Sequence, residues 1–141
     1  MDINSGKRNV KWSFKGSPTG IAVAPDGRRV AAILSFQGNP ELYVLDGERY
    51  IRLTNTPNAS EGQPTWSPDG TKICWVSMRR DGYEADKQRL MVADVTWNGN
   101  AMPAISGIKD ITADFKYNVS GPVWAADSKG IYFASLAEGL Q

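Results

Sequence analysis

Histidine is absent from this 141-residue chain, and cysteine occurs once. Without an imidazole there is no group to move a proton in a Ser-His-Asp or Cys-His nucleophile system, so no catalytic residues are expected. Zinc sites built on His are excluded. A single Cys also excludes Cys-only zinc and iron–sulfur sites and any internal disulfide. No metal and no cofactor is therefore expected, and cysteine usage does not reveal the redox compartment. An excess of one charge is missing as well: Lys+Arg 16 against Asp+Glu 15 leaves +1. That balance gives no overall attraction for nucleic acid or an anionic membrane, so neither is expected as a partner. No apolar run approaches the roughly 20 residues that span a bilayer. The opening MDINSGKRNV has no apolar core, so no signal peptide is expected in this chain. The compartment stays open between periplasm and cytoplasm, because the mature part of an exported protein reads the same way.

What the chain does have is punctuation, with Gly 14 and Pro 8, and five tryptophans. Between the turn residues lie short apolar segments rich in β-branched and aromatic side chains. No long stretch carries a 3.6-residue period. This pattern predicts an all-β chain of short strands.

The chain aligns with itself. Gly20-Ile21-Ala22-Val23-Ala24-Pro25-Asp26-Gly27 is repeated as Gln63-Pro64-Thr65-Trp66-Ser67-Pro68-Asp69-Gly70. It returns as Gly121-Pro122-Val123-Trp124-Ala125-Ala126-Asp127-Ser128. Each copy reads strand, turn, strand: Pro pre-sets φ, Asp bonds forward to the backbone, and Gly accepts positive φ. The third copy, with Ala126-Asp127-Ser128, is expected to turn less tightly. Glu41 to Asp46 and Arg49 to Thr54 read as a hairpin about Gly47-Glu48. In the second unit, Arg89 to Val95 leads through a longer loop, Thr96 to Gly107, to Ile108–Thr112.

Four antiparallel strands per unit, repeated at roughly 40–45 residues, predict β-propeller blades. The expected division is an outer hairpin of a preceding blade over 1–14, a blade over 20–54, a blade with an insertion over 63–112, and the first half of a further blade over 121–141. Half, two full and half make about three blades. A closed propeller needs about 4–8, so the expected architecture is a partial β-propeller. Its end faces call either for further chain or for copies that associate and complete one another.

Trp66 to Gly70, followed by Ile73-Cys74-Trp75-Val76-Ser77, resembles the propeller repeats of TolB and of the prolyl oligopeptidase family of serine peptidases. Met78-Arg79-Arg80-Asp81-Gly82-Tyr83-Glu84-Ala85-Asp86-Lys87-Gln88-Arg89-Leu90 is similar to a run in dipeptidyl peptidase V-like and acylaminoacyl-peptidase-like members. Asp114-Phe115, Asn118-Val119-Ser120, Val123-Trp124 and Ile131-Tyr132-Phe133 continue the match. The resemblance implies a propeller that caps a C-terminal α/β-hydrolase domain and gates peptide substrates. The Gly-x-Ser-x-Gly elbow and catalytic His of that domain are not in this chain. It also implies a substrate-binding role for Glu84 and Asp86, as carboxylates for a peptide's N-terminal ammonium, with Tyr83 as a wall. The plainer alternative is a self-paired surface loop. A different function class, a stand-alone TolB-like protein-binding module that self-assembles, fits the same repeats.

The remaining motifs have structural explanations. Asp26, Asp69 and Asp127 read as turn caps. Trp66 and Trp124 read as packing between blades, and Cys74 as a buried, inert thiol. The basic pairs Lys7-Arg8 and Arg28-Arg29 read as solvated turns. Ser5-Gly6-Lys7 lacks the surroundings of a phosphate loop.

Overall fold

A computed structural model of the chain describes residues 19–35, 39–56, 59–79, 87–99, 101–113 and 118–136. Among these, every regular element is a strand. The order is β1 (Gly20–Val23), β2 (Val30–Leu34), β3 (Glu41–Asp46), β4 (Arg49–Arg52), β5 (Ala59–Trp66), β6 (Lys72–Arg79), β7 (Gln88–Asn98), β8 (Ala101–Asp110), β9 (Asn118–Trp124) and β10 (Ile131–Leu136). They form two four-stranded sheets, β1-β2-β3-β4 and β5-β6-β7-β8, and a two-stranded sheet of β9 and β10. All pairings are antiparallel. The all-β, partial-propeller architecture is thus the one the repeats predict. The outer hairpin expected over 1–14 lies outside the described residues.

The alternation of a strand explains how the second sheet is held. Ile73 and Trp75 of β6 pack toward the first sheet, against Ala31, Ile33, Leu42 and Val44. Cys74 and Val76, pointing the other way, pack with Leu90 against Val119 of β9. A strand apolar on both faces needs a neighbour on each, and β6 has two. Ile33, Leu42, Ile73 and Leu90 are all 0 % exposed. Such burial is worth roughly 1.5–3 kcal/mol per side chain.

The three turns share one geometry. Gly27 N–H donates to Ala24 O (2.9 Å) and Ala24 N–H to Arg29 O (2.8 Å); the second turn repeats these as Gly70 to Ser67 (2.9 Å) and Ser67 to Lys72 (2.9 Å). The third repeats them as Ser128 to Ala125 (2.9 Å) and Ala125 to Gly130 (2.8 Å). The expectation of a looser third turn is therefore corrected. The Asp cap persists there, with Asp127 Oδ1 accepting from Lys129 N–H at 2.9 Å. The cap pulls Ser128 into the left-handed region at φ 65°, where Gly27 and Gly70 sit at 72° and 77°. A non-glycine residue there costs about 1 kcal/mol.

The insertion is also different from the loop expected over Thr96 to Gly107. β7 and β8 continue as a long hairpin, with Gly99 at φ 64° in its tip. Two bulges in β7–β8 twist it. Trp97 bends back onto the turns: its indole N–H donates to Gly70 O at 2.6 Å. Its ring lies 5.3 Å from that of Trp66. The Arg29 guanidinium sits 5.1 Å from the Trp97 ring centroid and donates to Gly99 O at 2.6 Å. Arg29 is consequently 4 % exposed. The solvated reading of the Arg28-Arg29 pair holds for exposed Arg28 and fails for Arg29, whose charge is buried under the insertion.

Candidate functional site

Each four-stranded sheet brings its third strand and the chain after its fourth strand to the same rim. In the first, Leu42 N–H donates to Thr54 Oγ1 (2.9 Å); in the second, Leu90 N–H donates to Thr112 Oγ1 (3.0 Å). The rim position preceding each of these leucines carries a charge: Glu41 in the first sheet and Arg89 in the second.

At this rim of the second sheet lies a cleft of about 430 Å³, lined by Thr56 of the segment before β5 and by Ala59, Ser77, Arg79, Arg89, Met91 and Asp110. Arg89 is anchored by Asp110 at 3.1 Å, with both side chains largely buried. Asp110 in turn caps Thr112, accepting from its N–H at 2.9 Å. β6 ends at Arg79 on the cleft wall, and β7 starts at Gln88 beside Arg89. The connection between them carries Tyr83, Glu84 and Asp86, which lie outside the described residues. The cleft walls themselves were not singled out from the sequence.

Beneath the cleft lie two buried carboxylates that sequence reasoning missed. Glu41 and Glu61 are each 4 % exposed. Glu41 Oε1 accepts from Thr54 Oγ1 (2.6 Å) and faces Thr56 Oγ1 (3.1 Å). Its Oε2 accepts from Thr56 N–H (2.8 Å) and Asn39 Nδ2 (2.9 Å). Glu61 Oε1 accepts from the Trp75 indole (2.7 Å), and Oε2 faces Ser77 Oγ (3.2 Å) and Thr56 Oγ1. Burial pushes the Glu61 carboxyl above its ordinary range, the nearby Glu41 charge adding to that, against hydrogen bonds from Thr56, Ser77 and Trp75. The only available signal was two Glu residues beside apolar runs, which reads as ordinary surface charge.

The recurrent aspartates are turn caps. Asp69 Oδ1 accepts from Thr71 N–H (3.0 Å), Thr71 Oγ1 (2.7 Å) and Ser67 Oγ (2.8 Å). These bonds, led by the backbone N–H of Thr71, bring its pKa down to about 2. Among the described residues no group of three or more Asp, Glu or Cys side chains is placed to hold a metal ion. The two repeated tryptophans bond across the joints between sheets, Trp66 Nε1 to Ala22 O (2.9 Å) and Trp124 Nε1 to Thr65 O (3.1 Å).

Four-stranded meanders packed face to face, each with the same turn between its first and second strands, correspond to a known family model. The model of the TolB beta propeller domain matches residues 1–107. The chain belongs to the TolB beta-propeller family. It is 37 % identical over 138 residues to dipeptidyl-peptidase 5 of Porphyromonas gingivalis, covering 90 % of this chain and 18 % of that protein. It is 28 % identical over 143 residues to dipeptidyl-peptidase 5 of Trichophyton equinum, covering 93 % of this chain and 17 % of that protein. A TolB homolog of Chlorobaculum tepidum is 34 % identical over 71 residues, 49 % of this chain and 15 % of the homolog. The crystal structure of TolB from Acinetobacter baumannii superposes with a TM-score of 0.65 at 25 % identity, over 90 % of this chain and 29 % of that one. This TolB-type propeller chain therefore spans under a fifth of the length of the curated dipeptidyl-peptidases it resembles.

Proposed function

We propose that this chain is the non-catalytic propeller portion of a dipeptidyl-peptidase-like serine peptidase, gating and orienting peptides for an α/β-hydrolase domain. The observation that carries this reading is the strength of the likeness to dipeptidyl-peptidase 5, 37 % identity over 90 % of the chain, against 25 % identity over the same share for TolB of Acinetobacter baumannii. Glu84 and Asp86 hold the substrate's ammonium and Tyr83 walls it. Their position in sequence, between a strand ending on the cleft wall and one starting beside Arg89, supports that role.

The chain alone, lacking His, turns over neither dipeptidyl nor acylated-peptide substrates; real turnover by pure chain refutes the proposal. In an enzyme carrying the hydrolase domain, Glu84→Gln and Asp86→Asn raise KM for peptides with a free N-terminus by about a hundredfold or more, since unpairing a desolvated charge costs about 3–5 kcal/mol. Acylated peptides are unaffected. An equal effect on both substrate types overturns the ammonium role.

A second reading, a self-assembling TolB-like binding module, draws on exposed apolar side chains of β1 in the first sheet and of β9 and β10 in the third. Ile21 and Val23 are 53 % and 54 % exposed, and Val123 and Tyr132 are 59 % and 70 % exposed. A discrete dimer with cooperative unfolding in size-exclusion and light scattering favours this reading.

A further inference from the structure

Thr56 Oγ1 stands within hydrogen-bond reach of two carboxyl groups, Glu41 Oε1 and Glu61 Oε2. A threonine hydroxyl carries one hydrogen and can donate it once. If both carboxyls were ionised, the second contact would set two oxygens together with no hydrogen between them. The donors around each Glu decide where an extra proton belongs. Glu41 receives Thr54 Oγ1, Thr56 N–H and Asn39 Nδ2 in addition to the Thr56 hydroxyl. Among the described residues, Glu61 receives only the Trp75 indole and the Ser77 hydroxyl besides the shared one. A carboxylate is stabilised by each donor it accepts, so Glu41 is the anion of the pair.

We propose that Glu61 is protonated in the folded chain and that a single proton relay, Glu61 Oε2–H to Thr56 Oγ1–H to Glu41 Oε1, clasps the second sheet to the first beneath the rim cleft. Every polar atom of the cluster is then satisfied. Glu61 donates to Thr56, Thr56 donates to Glu41, and Ser77 and Trp75 donate to the remaining Glu61 acceptor positions. The relay joins β5 of the second sheet to β3 of the first through the segment between β4 and β5. Glu61 N–H reinforces it by donating to Pro40 O at 3.1 Å.

The surroundings leave ionisation of Glu61 costly. From β3 it faces Glu41, a like charge. β6 contributes the neutral Trp75 and Ser77, and the segment before β5 contributes the neutral Thr56. The charges of Arg79, Arg89 and Asp110 line the cleft above, and Arg89 is engaged by Asp110. Burial raises the Glu61 pKa, with the Glu41 charge adding to it. A carboxyl raised on folding binds its proton more tightly in the native state than in the unfolded one. Its stabilising contribution is full below the ordinary glutamate range and is lost as pH climbs through the native ionisation.

Substitution by glutamine distinguishes the two members. In Glu61→Gln the new amide N–H donates to Thr56 as the acid O–H does, so the variant keeps the wild-type unfolding midpoint at neutral pH. It also loses the decline in midpoint that the wild type is expected to show on going alkaline. In Glu41→Gln the amide nitrogen faces donors, so the midpoint falls by about 5–10 °C. Infrared spectroscopy of the wild-type chain at neutral pH shows a protonated-carboxyl carbonyl stretch, which Glu61→Gln removes. Equal midpoint losses in the two variants overturn the assignment. Absence of the protonated-carboxyl band in the wild type also overturns it, whether or not either variant folds.

Discussion

The indole nitrogen of Trp66 donates to the carbonyl oxygen of Ala22 across 2.9 Å, tying the second sheet to the innermost strand of the first. Trp124 makes the same bond to Thr65, one joint further along. Each bond occupies an inner-strand carbonyl next to an apolar joint. Phe at position 66 keeps most of the ring and removes the donor. Trp66→Phe is expected to lower unfolding free energy by about 1–2 kcal/mol, read from the shift of a denaturant midpoint at constant slope. Trp124→Phe shifts it less, because Trp124 is half-buried where Trp66 is buried.

Ser128 carries backbone strain and an inter-sheet bond at once. Its φ is 65°, and its Oγ accepts from Asp69 N–H at 3.1 Å. Ser128→Ala loses the bond and keeps the strain; Ser128→Gly loses the bond and relieves it. The glycine variant is expected to be the more stable of the two by about 1 kcal/mol. Equal thermal midpoints would remove the strain account of this turn.

Cys74 sits between the second and third sheets at 0 % exposure, and burial pushes its thiol up to about 12. The thiolate is the reactive form. In native conditions at neutral pH an aromatic disulfide reagent is expected to label Cys74 only as fast as the chain opens. Adding denaturant then accelerates labelling in step with unfolding. Rapid labelling of the folded chain contradicts this.

Asp46 gathers three arginines: Arg28 at 3.0 Å, Arg49 at 2.7 Å and Arg29 at 3.5 Å. Burial works to raise its pKa, but the bonds from Arg28, Arg49 and Arg29 and the Arg28 charge outweigh it, and the carboxyl ionises below its ordinary range. A depressed carboxyl stabilises above its unfolded pKa and loses that contribution as pH falls through the folded one. Wild type should therefore exceed Asp46→Asn in thermal midpoint at neutral pH, and the two curves should converge in strong acid. Parallel curves at all pH values dismiss the ion cluster as the cause.

The parts of this fold legible in the residues are the local ones. Pro-Asp-Gly turns, the two-residue Gly47-Glu48 hairpin and the spacing of Trp66 and Trp124 each depend on neighbours in sequence, so each turn or strand could be placed in advance. The third turn was misjudged because the Asp127 cap, rather than the glycine, controls the geometry. The insertion was misjudged for another reason. Trp97, Gly70 and Arg29 meet only in the folded chain, and the residues from Thr96 to Gly107 carry no periodicity that reveals it. The Glu41–Glu61 pair is the extreme case: charged residues are read as surface, and only the tertiary fold puts both under a cleft with one threonine between them. Glu84, Asp86 and Tyr83 were reached through family resemblance alone, since acids among arginines also describe an ordinary solvated loop.

The long β7–β8 hairpin of the second sheet reaches over to the first, where Arg29 lies over the Trp97 ring and donates to Gly99 O. Prising the sheets apart must first detach Arg29 from that hairpin. Under load the pair therefore yields as one mechanical body, in a single rupture rather than two, and slow amide exchange in β2 and β6 should be lost together.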